Sequence, residues 1–439
     1  MTNQERIQIR IAKDKYRRAK RREQRNAQYD SFDNVITIQH YTEALKACRR
    51  GVSWKGSVQD YIHTSIIQEV KTINSLKSGV LPPLRNTRKV KICERGKDRI
   101  IFPVAIGDRM TQRVLCDYSL IPVLAPTLIY DNGASLKGKG VDFTRKRIEK
   151  HLREALREFG PDFYALVFDF KSYFDSIPHE TCLDVLKKNF SDKWIIGLTM
   201  GIIRSYHEPD IRKIEDEDER NAMMLRLKKN KLNGICLGSQ ISQVMALAVP
   251  NKFDHFIKCK KSVHHYIRYM DDGIVLSNDK EFLKALLVEA QEVAESLGLH
   301  FNLKKTNIVK MSKGFTFMKV RYRISKDGRI IKTLVHSGIV RERRKLKKLH
   351  RKILKGELTL DDAYNSMQSW LAHSKIAKSY HSVKSMLKLY DKLFGGYKLT
   401  KKYFKKEGNK SHELLQADRW QDYRWDRYDI RFKEVPAKA

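Results

Sequence analysis

Three acidic residues at the ends of apolar runs are the side chains best placed for chemistry. Asp169 ends the run FYALVFD, and Asp271 and Asp272 follow Tyr269-Met270 between two apolar runs. Burying like charges among apolar neighbours is too costly unless a cation neutralises them. Phosphoryl transfer with two metal ions uses carboxylates from different strands that hold the ions about 3.5–4 Å apart. The pattern therefore predicts a two-metal site.

Mg²⁺ is the expected ion, with two bound and Mn²⁺ as a substitute, because Mg²⁺ takes few carboxylates and keeps positions for water and phosphate. One ion would lower the pKa of an attacking 3′-hydroxyl, and the other would neutralise a leaving pyrophosphate. Two structural interpretations compete with this one. Asp271 and Asp272 could belong to a solvated Asp-Asp-Gly hairpin turn, and Asp169 could be a helix N-cap. The combination of all three acids favours catalysis.

The composition indicates a globular protein with a polyanionic partner. Of 439 residues, 88 are Lys or Arg and 51 are Asp or Glu, so the formal net charge is +37, while 41% are hydrophobic. The positive electrostatic field of this chain favours binding of polyanions, with nucleic acid as the first candidate and an anionic membrane surface as the second. No apolar run approaches the roughly 18–20 residues of a membrane span, and MTNQERIQIRIAKDKYRRAKRR lacks the apolar segment of a secretory signal. We expect a cytoplasmic protein without a membrane partner.

Hydrophobic periodicity predicts the elements that position the acids. A buried strand is expected over 164–170, and two strands over 265–270 and 273–277 flank the Asp-Asp-Gly turn. A hairpin is expected around Gly96, and an amphipathic basic helix over 340–355. The acidic block 215–220 is interpreted as a solvated loop. Residues 31–78 read as helices whose core candidates are Tyr41, Leu45, Val52, Trp54, Tyr61, Ile66 and Val70.

Cysteine and histidine spacing predicts no additional metal site. The six cysteines never form C-x-x-C, which argues against a zinc ribbon or a disulfide framework. His264 and His265 are expected on a strand, where neighbouring side chains point to opposite faces and cannot bind one ion together.

Five segments occur in the order of the motifs of one polymerase family. FDFKSYFDSI, LGSQISQ, YMDDG, FNLKKTN and FTFMKV resemble motifs A to E of reverse transcriptases, and RGKDRIIFPVAIGDR and NGASLKGKG resemble the finger motifs of bacterial members. The resemblance implies an α+β right-hand polymerase fold. Its expected parts are a basic N-terminal helical region (1–80), fingers (81–160), palm with remaining finger elements (161–330), helical thumb (331–395) and a basic aromatic tail (396–439).

The resemblance also implies roles for individual residues. Asp169 and Asp271 match the principal metal ligands of the family, and Asp272 matches a more weakly binding neighbour. Lys305 matches a lysine that can protonate pyrophosphate, although it is one of many lysines. Phe174 matches a steric gate against a 2′-hydroxyl, although a core aromatic would look the same. The predicted dNTP contacts are Lys97, Arg99, Phe170, Phe174, Gly238 and Gln243.

Lys97 and Arg99 share one strand face, where Arg can bind phosphate through two hydrogen bonds. A solvated charged face is the alternative. In motif B, Leu237 and Gln243 depart from the commonest pattern and resemble the enzymes of diversity-generating retroelements, which predicts error-prone copying. In motif E, Lys319 replaces the usual glycine.

The basic surroundings predict contacts with a nucleic-acid backbone. The candidate residues are Tyr269, Met270, Lys319, Arg343, Arg344 and Lys347. Leu346, Leu349, Ile353, Trp370, Leu371 and Tyr380 would pack the thumb. Aromatic residues of the tail, such as Trp420 and Trp425, would stack on unpaired bases or pack on the thumb.

The sequence therefore predicts an RNA-directed DNA polymerase of a bacterial or phage retroelement or antiviral defence system. Expected partners are a structured noncoding or template RNA, an RNA/DNA duplex and dNTPs, with an accessory protein as a further candidate. Two alternatives remain open. The chain could be a non-catalytic RNA-binding scaffold with a polymerase fold, or an RNA-dependent RNA polymerase.

Overall fold

The computed structural model describes residues 3–81, 89–94 and 97–398. These described residues form two compact units, the first within 1–155 and 165–308 and the second within 156–164 and 309–398. The predicted tail over 396–439 lies outside the described residues from position 399.

The first unit is mostly helical. Its helices are α1 (Asn3–Tyr29), α2 (Phe32–Val35), α3 (Ile38–Cys48), α4 (Gly56–His63), α5 (Ser65–Lys77), α6 (Ile106–Leu115), α7 (Ile121–Leu124), α8 (Val141–Phe159, whose last residues fall in the second unit), α9 (Tyr173–Ser176), α10 (His179–Asn189), α11 (Lys193–Ser205), α12 (Glu208–Ile211), α13 (Glu217–Lys228), α14 (Gln240–Ala248), α15 (Asn251–His255) and α16 (Lys280–Glu295). Local sequence explains several helix starts. Asp192 and Asp279, for example, accept hydrogen bonds from the first backbone N–H groups of α11 and α16.

Two sheets accompany these helices. The predicted hairpin around Gly96 forms from β1 (Val90–Glu94) and β2 (Lys97–Ile101). A four-stranded sheet has the order β4-β5-β3-β6, with β3 (Tyr164–Asp169), β4 (Tyr266–Tyr269), β5 (Asp272–Ser277) and β6 (Asn307–Lys310). Strand β3 buries residues on both faces, as a central strand covered by helices does. The sheet therefore forms as the apolar runs predict.

The second unit joins a small sheet to a helical bundle. Its elements are β7 (Phe315–Phe317), β8 (Val320–Ile324), β9 (Ile330–Leu334), α17 (His336–Leu354), α18 (Leu360–Ser374) and α19 (Tyr380–Phe394). Buried and exposed residues alternate along β8 because one face of this antiparallel sheet is covered. The bundle packs around Leu346, Met367, Trp370 and Tyr390. Tyr380, predicted in this core, is 40% exposed.

Two predictions for the N-terminal half need correction. Tyr41, Leu45 and Tyr61 are buried as predicted, but Trp54 is 74% exposed in the turns before α4. Ile66 and Val70 are exposed because α5 buries the face that carries Thr72, Ile73 and Leu76. These apolar residues therefore point away from the core that the sequence assigned to them.

Most of the acidic block 215–220 is helical, and not the loop that was predicted. Asp216 accepts a hydrogen bond from the Glu219 backbone N–H, and α13 begins at Glu217. Acidic side chains in the first turn of a helix are stabilised by the helix dipole. The block is therefore a helix start.

Within the described ranges, no helix combines the length and the apolar character that a membrane crossing requires. All six cysteines lie in these ranges and none forms a disulfide.

Candidate active site

The carboxylates of Asp169, Asp271 and Asp272 converge where β3 ends and the β4–β5 hairpin turns. One oxygen from each carboxylate lies within 4.8 Å of the others. Backbone contacts hold the two segments together, since the Phe170 N–H donates to the Asp271 carbonyl at 3.0 Å. The structure thus brings together the three acids that the sequence singled out, and these oxygens can hold divalent metal ions.

Crowding of negative charge is the main electrostatic property of this cluster. Burial raises the pKa of Asp271, and the charge of Asp169 raises it further, whereas Lys305 and Arg99 oppose the shift. Burial also raises the pKa of Asp272, together with the charges of Asp271 and Asp169. The cluster therefore disfavours full ionisation without a compensating cation.

Lys305 and Asn302 hold the Asp169 carboxylate. Lys305 Nζ donates to Asp169 Oδ2 at 2.5 Å, and Asn302 Nδ2 donates to Asp169 Oδ1 at 3.1 Å. The Asn302 backbone N–H also donates to the Asp169 carbonyl at 2.7 Å. Sequence reasoning selected Lys305 but missed Asn302, although both lie in the segment FNLKKTN.

The turn that carries the acids is shifted from its predicted position. Tyr269 pairs with Asp272, so Met270 and Asp271 form the turn, and Gly273 belongs to β5. Met270 has φ +52°, a left-handed conformation. Gly273 is needed for close packing rather than for turning, because a Cβ there would lie 2.1 Å from Phe168 Cζ. The Asp-Asp-Gly turn is therefore a Met-Asp turn.

A buried ion pair supports this turn from behind. Arg268 Nε and Nη2 donate to the two carboxylate oxygens of Asp254, each at 2.7 Å, and both side chains are fully buried. Arg268 Nη1 donates to the Met270 carbonyl at 2.9 Å. Sequence reasoning missed Arg268. The one signal for it in the sequence is a charged residue inside the otherwise apolar strand YIRY.

The predicted dNTP contacts lie on different segments of the first unit. Lys97 and Arg99 lie on β2, and the backbone of Lys97 pairs with that of Glu94. The side chain of Lys97 is outside the described part of the structure. Arg99 is close enough to lower the pKa of Asp271 through its charge, against the dominant effect of burial. Both residues thus share β2, and the charge of Arg99 reaches the turn.

Motif B approaches the residue that follows β2. Gly238 has φ +118°, and a Cβ there would lie 2.8 Å from the Phe102 carbonyl oxygen. Gln243 is exposed on α14. Buried Gln112, missed by sequence reasoning, accepts hydrogen bonds from Ser239 Oγ and the Gln240 N–H at 3.0 and 3.2 Å. These contacts fix the start of α14.

The two aromatic candidates occupy different environments. Phe170 is 2% exposed and its ring stacks on Tyr173 and Phe301, so this ring is part of the core. Phe174 is half-buried, and its carbonyl accepts a hydrogen bond from the Ile235 N–H at 2.8 Å. Of these two rings, only that of Phe174 is partly open to a ligand.

Candidate nucleic-acid contacts divide between the units. Tyr269 and Met270 belong to the β4–β5 hairpin. In the second unit, Met318 and Lys319 have φ values of +47° and +66° and form the two-residue turn between β7 and β8. A left-handed conformation favours glycine, which fits the glycine that the resemblance predicts here, and Lys319 adopts the same conformation in this chain.

On α17, the basic candidates differ in their environment. Arg344 and Lys347 are exposed, whereas Arg343 Nη2 donates to Ser385 Oγ at 2.6 Å. Arg343 therefore contributes to packing of the bundle.

His264 and His265 do not lie on a strand as predicted. Strand β4 begins at Tyr266, and both histidines occupy the preceding bend, with ring centroids 4.9 Å apart. Strand alternation therefore does not separate the two rings, and the argument against a shared metal ion is wrong.

One segment of the chain matches a known protein family. Residues 108–322 match the family described as reverse transcriptase (RNA-dependent DNA polymerase). This segment contains the three acids, Lys305 and both motif B candidates. No curated protein matches the chain.

Several solved telomerase structures are similar to parts of this chain. An apo telomerase from Candida Tropicalis truncated from its C-terminal domain is 16% identical with a TM-score of 0.33, covering 59% of this chain and 58% of that one. A Candida albicans telomerase in complex with a TWJ fragment of telomeric RNA is 12% identical with a TM-score of 0.36, covering 75% and 63%. Apo telomerase from Candida Tropicalis is 13% identical with a TM-score of 0.38, covering 83% and 78%. The chain thus spans less than two thirds of the length of the first two telomerase chains.

Proposed function

We propose that this chain, whose residues 108–322 match the reverse transcriptase (RNA-dependent DNA polymerase) family, is an α+β polymerase that makes cDNA on an RNA template by two-metal nucleotidyl transfer. The observation that carries the proposal is the convergence of the Asp169, Asp271 and Asp272 carboxylates within 4.8 Å. The fingers, palm and helical thumb are assigned to 81–160, 161–330 and 331–395.

The donor set fits Mg²⁺, with Mn²⁺ as a substitute. Three crowded carboxylates, two of them with raised pKa values, favour a hard dication. Asp169 and Asp271 would be the principal ligands and Asp272 the weaker one. Bound there, two Mg²⁺ ions would lower the pKa of the primer 3′-hydroxyl and neutralise charge on the departing pyrophosphate.

Basic side chains of this unit supply the remaining charge. Lys305 Nζ donates to Asp169 at 2.5 Å and would give its proton to pyrophosphate. Lys97 and Arg99 on β2 would bind the triphosphate. The charge of Arg99 already acts on the Asp271 carboxyl.

Asp271→Asn tests the catalytic assignment directly. The expected result is loss of Mg²⁺-dependent dNTP incorporation on a primed RNA template by at least about 100-fold, because a charged ligand is removed. Asp218→Asn, at an exposed acid of α13, is the matched control and keeps activity. Full activity of Asp271→Asn would refute the assignment. A wild-type chain that binds RNA without polymerising would support the scaffold alternative.

Phe174 is proposed as the gate that selects deoxyribose. Its half-buried ring would clash with a 2′-hydroxyl, so Phe174→Val should increase NTP incorporation relative to dNTP incorporation by at least about tenfold, a difference of roughly 1.4 kcal/mol. Single-nucleotide kinetics on the same template measure the ratio. Wild-type preference for NTP would instead support an RNA-dependent RNA polymerase.

A bacterial or phage retroelement or antiviral defence system is the proposed setting. The form of motif B, with Leu237 before Gly238 and Gln243 on α14, favours error-prone copying of the diversity-generating type. Partners would be a template or structured noncoding RNA, an RNA/DNA duplex and an accessory protein, in the cytoplasm. Sequencing of co-purifying RNA and cDNA tests this setting, and the absence of associated cDNA would count against it.

A further inference from the structure

A second group of metal-binding side chains lies in the first unit, apart from the three acids. It comprises His151 and Glu154 on α8 and His264 and His265 in the bend before β4. One ligand atom from each residue lies within 4.8 Å of the others. His151 and Glu154 are three residues apart, so they share one face of the helix.

Distances within this histidine cluster suit a small tetrahedral ion. His151 Nδ1 lies 3.2 Å from His265 Nδ1 and 3.8 Å from Glu154 Oε2, and His264 Nε2 lies 3.9 Å from Glu154 Oε2. Tetrahedral coordination with bonds of about 2.0–2.1 Å separates neighbouring ligand atoms by about 3.3 Å. Small side-chain movements would therefore complete the coordination.

An outer carboxylate orients His151. Asp131 Oδ2 lies 3.2 Å from His151 Nε2, and Asp131 is itself bound by Arg147 Nε at 2.6 Å and Lys258 Nζ at 3.2 Å. Arg147 Nη2 also lies 3.3 Å from His151 Nε2. Metal binding requires the tautomer in which Nε2–H donates to Asp131, because the Nδ1 lone pair then faces the cluster. Metal-binding histidines commonly have such a carboxylate partner.

An unsatisfied oxygen inside the cluster is independent evidence for a ligand. Glu154 Oε2 is enclosed and accepts no hydrogen bond. Buried carboxylate oxygens without a partner are costly, and a cation would satisfy this one. Since the His264 side chain is 71% exposed, an ion can reach the cluster from solvent.

We propose that His151, Glu154, His264 and His265 bind one Zn²⁺-type transition-metal ion. Imidazole and carboxylate donors suit this class of metal, and four protein ligands make a structural site without an open position for substrate. The ion would join α8 to the start of β4, the strand that leads to Asp271. This proposal stands independently of the polymerase function.

Metal binding by the full chain tests the proposal. After chelator treatment, the protein is titrated with Zn²⁺ by calorimetry in millimolar Mg²⁺, and with Co²⁺ by visible absorption. We expect one tight Zn²⁺ per chain, a tetrahedral Co²⁺ spectrum and a Zn²⁺-dependent increase in Tm. His264→Gln and Glu154→Gln should each weaken Zn²⁺ binding at least tenfold.

Two control variants separate this site from other binding. His63→Gln, at an exposed histidine of α4, and Asp271→Asn should both keep wild-type Zn²⁺ affinity. Circular dichroism of the metal-free variants checks folding. The proposal is overturned if the wild type takes up no stoichiometric Zn²⁺, if the cluster variants bind as tightly as the wild type, or if Asp271→Asn removes the binding.

Discussion

Arg268 lies behind the acidic turn and connects three parts of the first unit. Its guanidinium donates to Asp254 on α15, to the Leu247 carbonyl on α14 at 3.1 Å and to the Met270 carbonyl in the turn. Because both side chains are fully buried, the desolvation of this pair is compensated by these contacts and by the Tyr266 hydroxyl, which donates to Asp254 Oδ1 at 2.7 Å. The turn that positions Asp271 therefore depends on a residue that does not touch substrate.

Arg268→Met should destabilise the protein by about 3–5 kcal/mol, because it leaves the Asp254 carboxylate buried without its cation. Denaturant unfolding measures this loss. Arg268→Met combined with Asp254→Leu removes both charges and should regain most of the stability. If the single and double variants unfold alike, the ion pair does not carry the effect.

At the scale of elements, α10 begins beside the segment that leads to motif B. His179, its first residue, is buried, and its Nε2 donates to the Gly234 carbonyl at 2.8 Å. Burial lowers the pKa of His179 from 6.5 to about 4, so the ring stays neutral in the folded protein. Protonation of this histidine therefore opposes folding.

Stability should consequently decrease in mild acid. Below pH 6.5 the unfolded chain binds more protons at His179 than the folded chain, so the free energy of unfolding decreases until about pH 4. Between pH 7 and pH 5 this group accounts for about 2 kcal/mol. His179→Gln should make the decrease between these pH values smaller by that amount.

Denaturant unfolding at both pH values measures the difference. His63→Gln, which removes an exposed histidine of α4, should retain the wild-type pH dependence. An unchanged pH dependence in His179→Gln would show that this ring does not titrate between the folded and unfolded states.

Elements with a strict hydrophobic pattern were predictable from sequence, and those set by tertiary contacts were not. Strand β3, the β1–β2 hairpin and α17 lie where periodicity placed them. The acidic turn was displaced because Gly273 packs against Phe168, a contact that no local pattern reveals. Convergence of the three acids followed from their strand-end positions, whereas Asn302, Arg268 and Gln112 act through partners distant in sequence.

At the scale of the whole molecule, the +37 charge predicts salt-dependent binding of nucleic acid. Arg344→Gln with Lys347→Gln on α17 should reduce the slope of log affinity against log salt by about 1.4–1.8, since each neutralised phosphate contributes about 0.7–0.9. Fluorescence anisotropy with an RNA/DNA duplex measures the slope.

A matched double variant distinguishes binding of the duplex by α17 from general electrostatic attraction to the basic chain. Lys280→Gln with Lys284→Gln removes the same charge from exposed positions on α16 and should leave the slope close to that of wild type. Equal effects of both double variants would show that α17 has no special role in binding the duplex.

The guanidinium of Arg268 has one further consequence. Arginine keeps its positive charge at every pH that a folded protein tolerates, so its hydrogen bond to the Met270 carbonyl persists while the neighbouring carboxylates gain or lose protons. Acidification therefore cannot break this hydrogen bond by changing the charge of its donor. A loss of turnover on mild acidification would therefore arise from protonation of the carboxylates or of buried His179, and not from a loss of charge on this guanidinium.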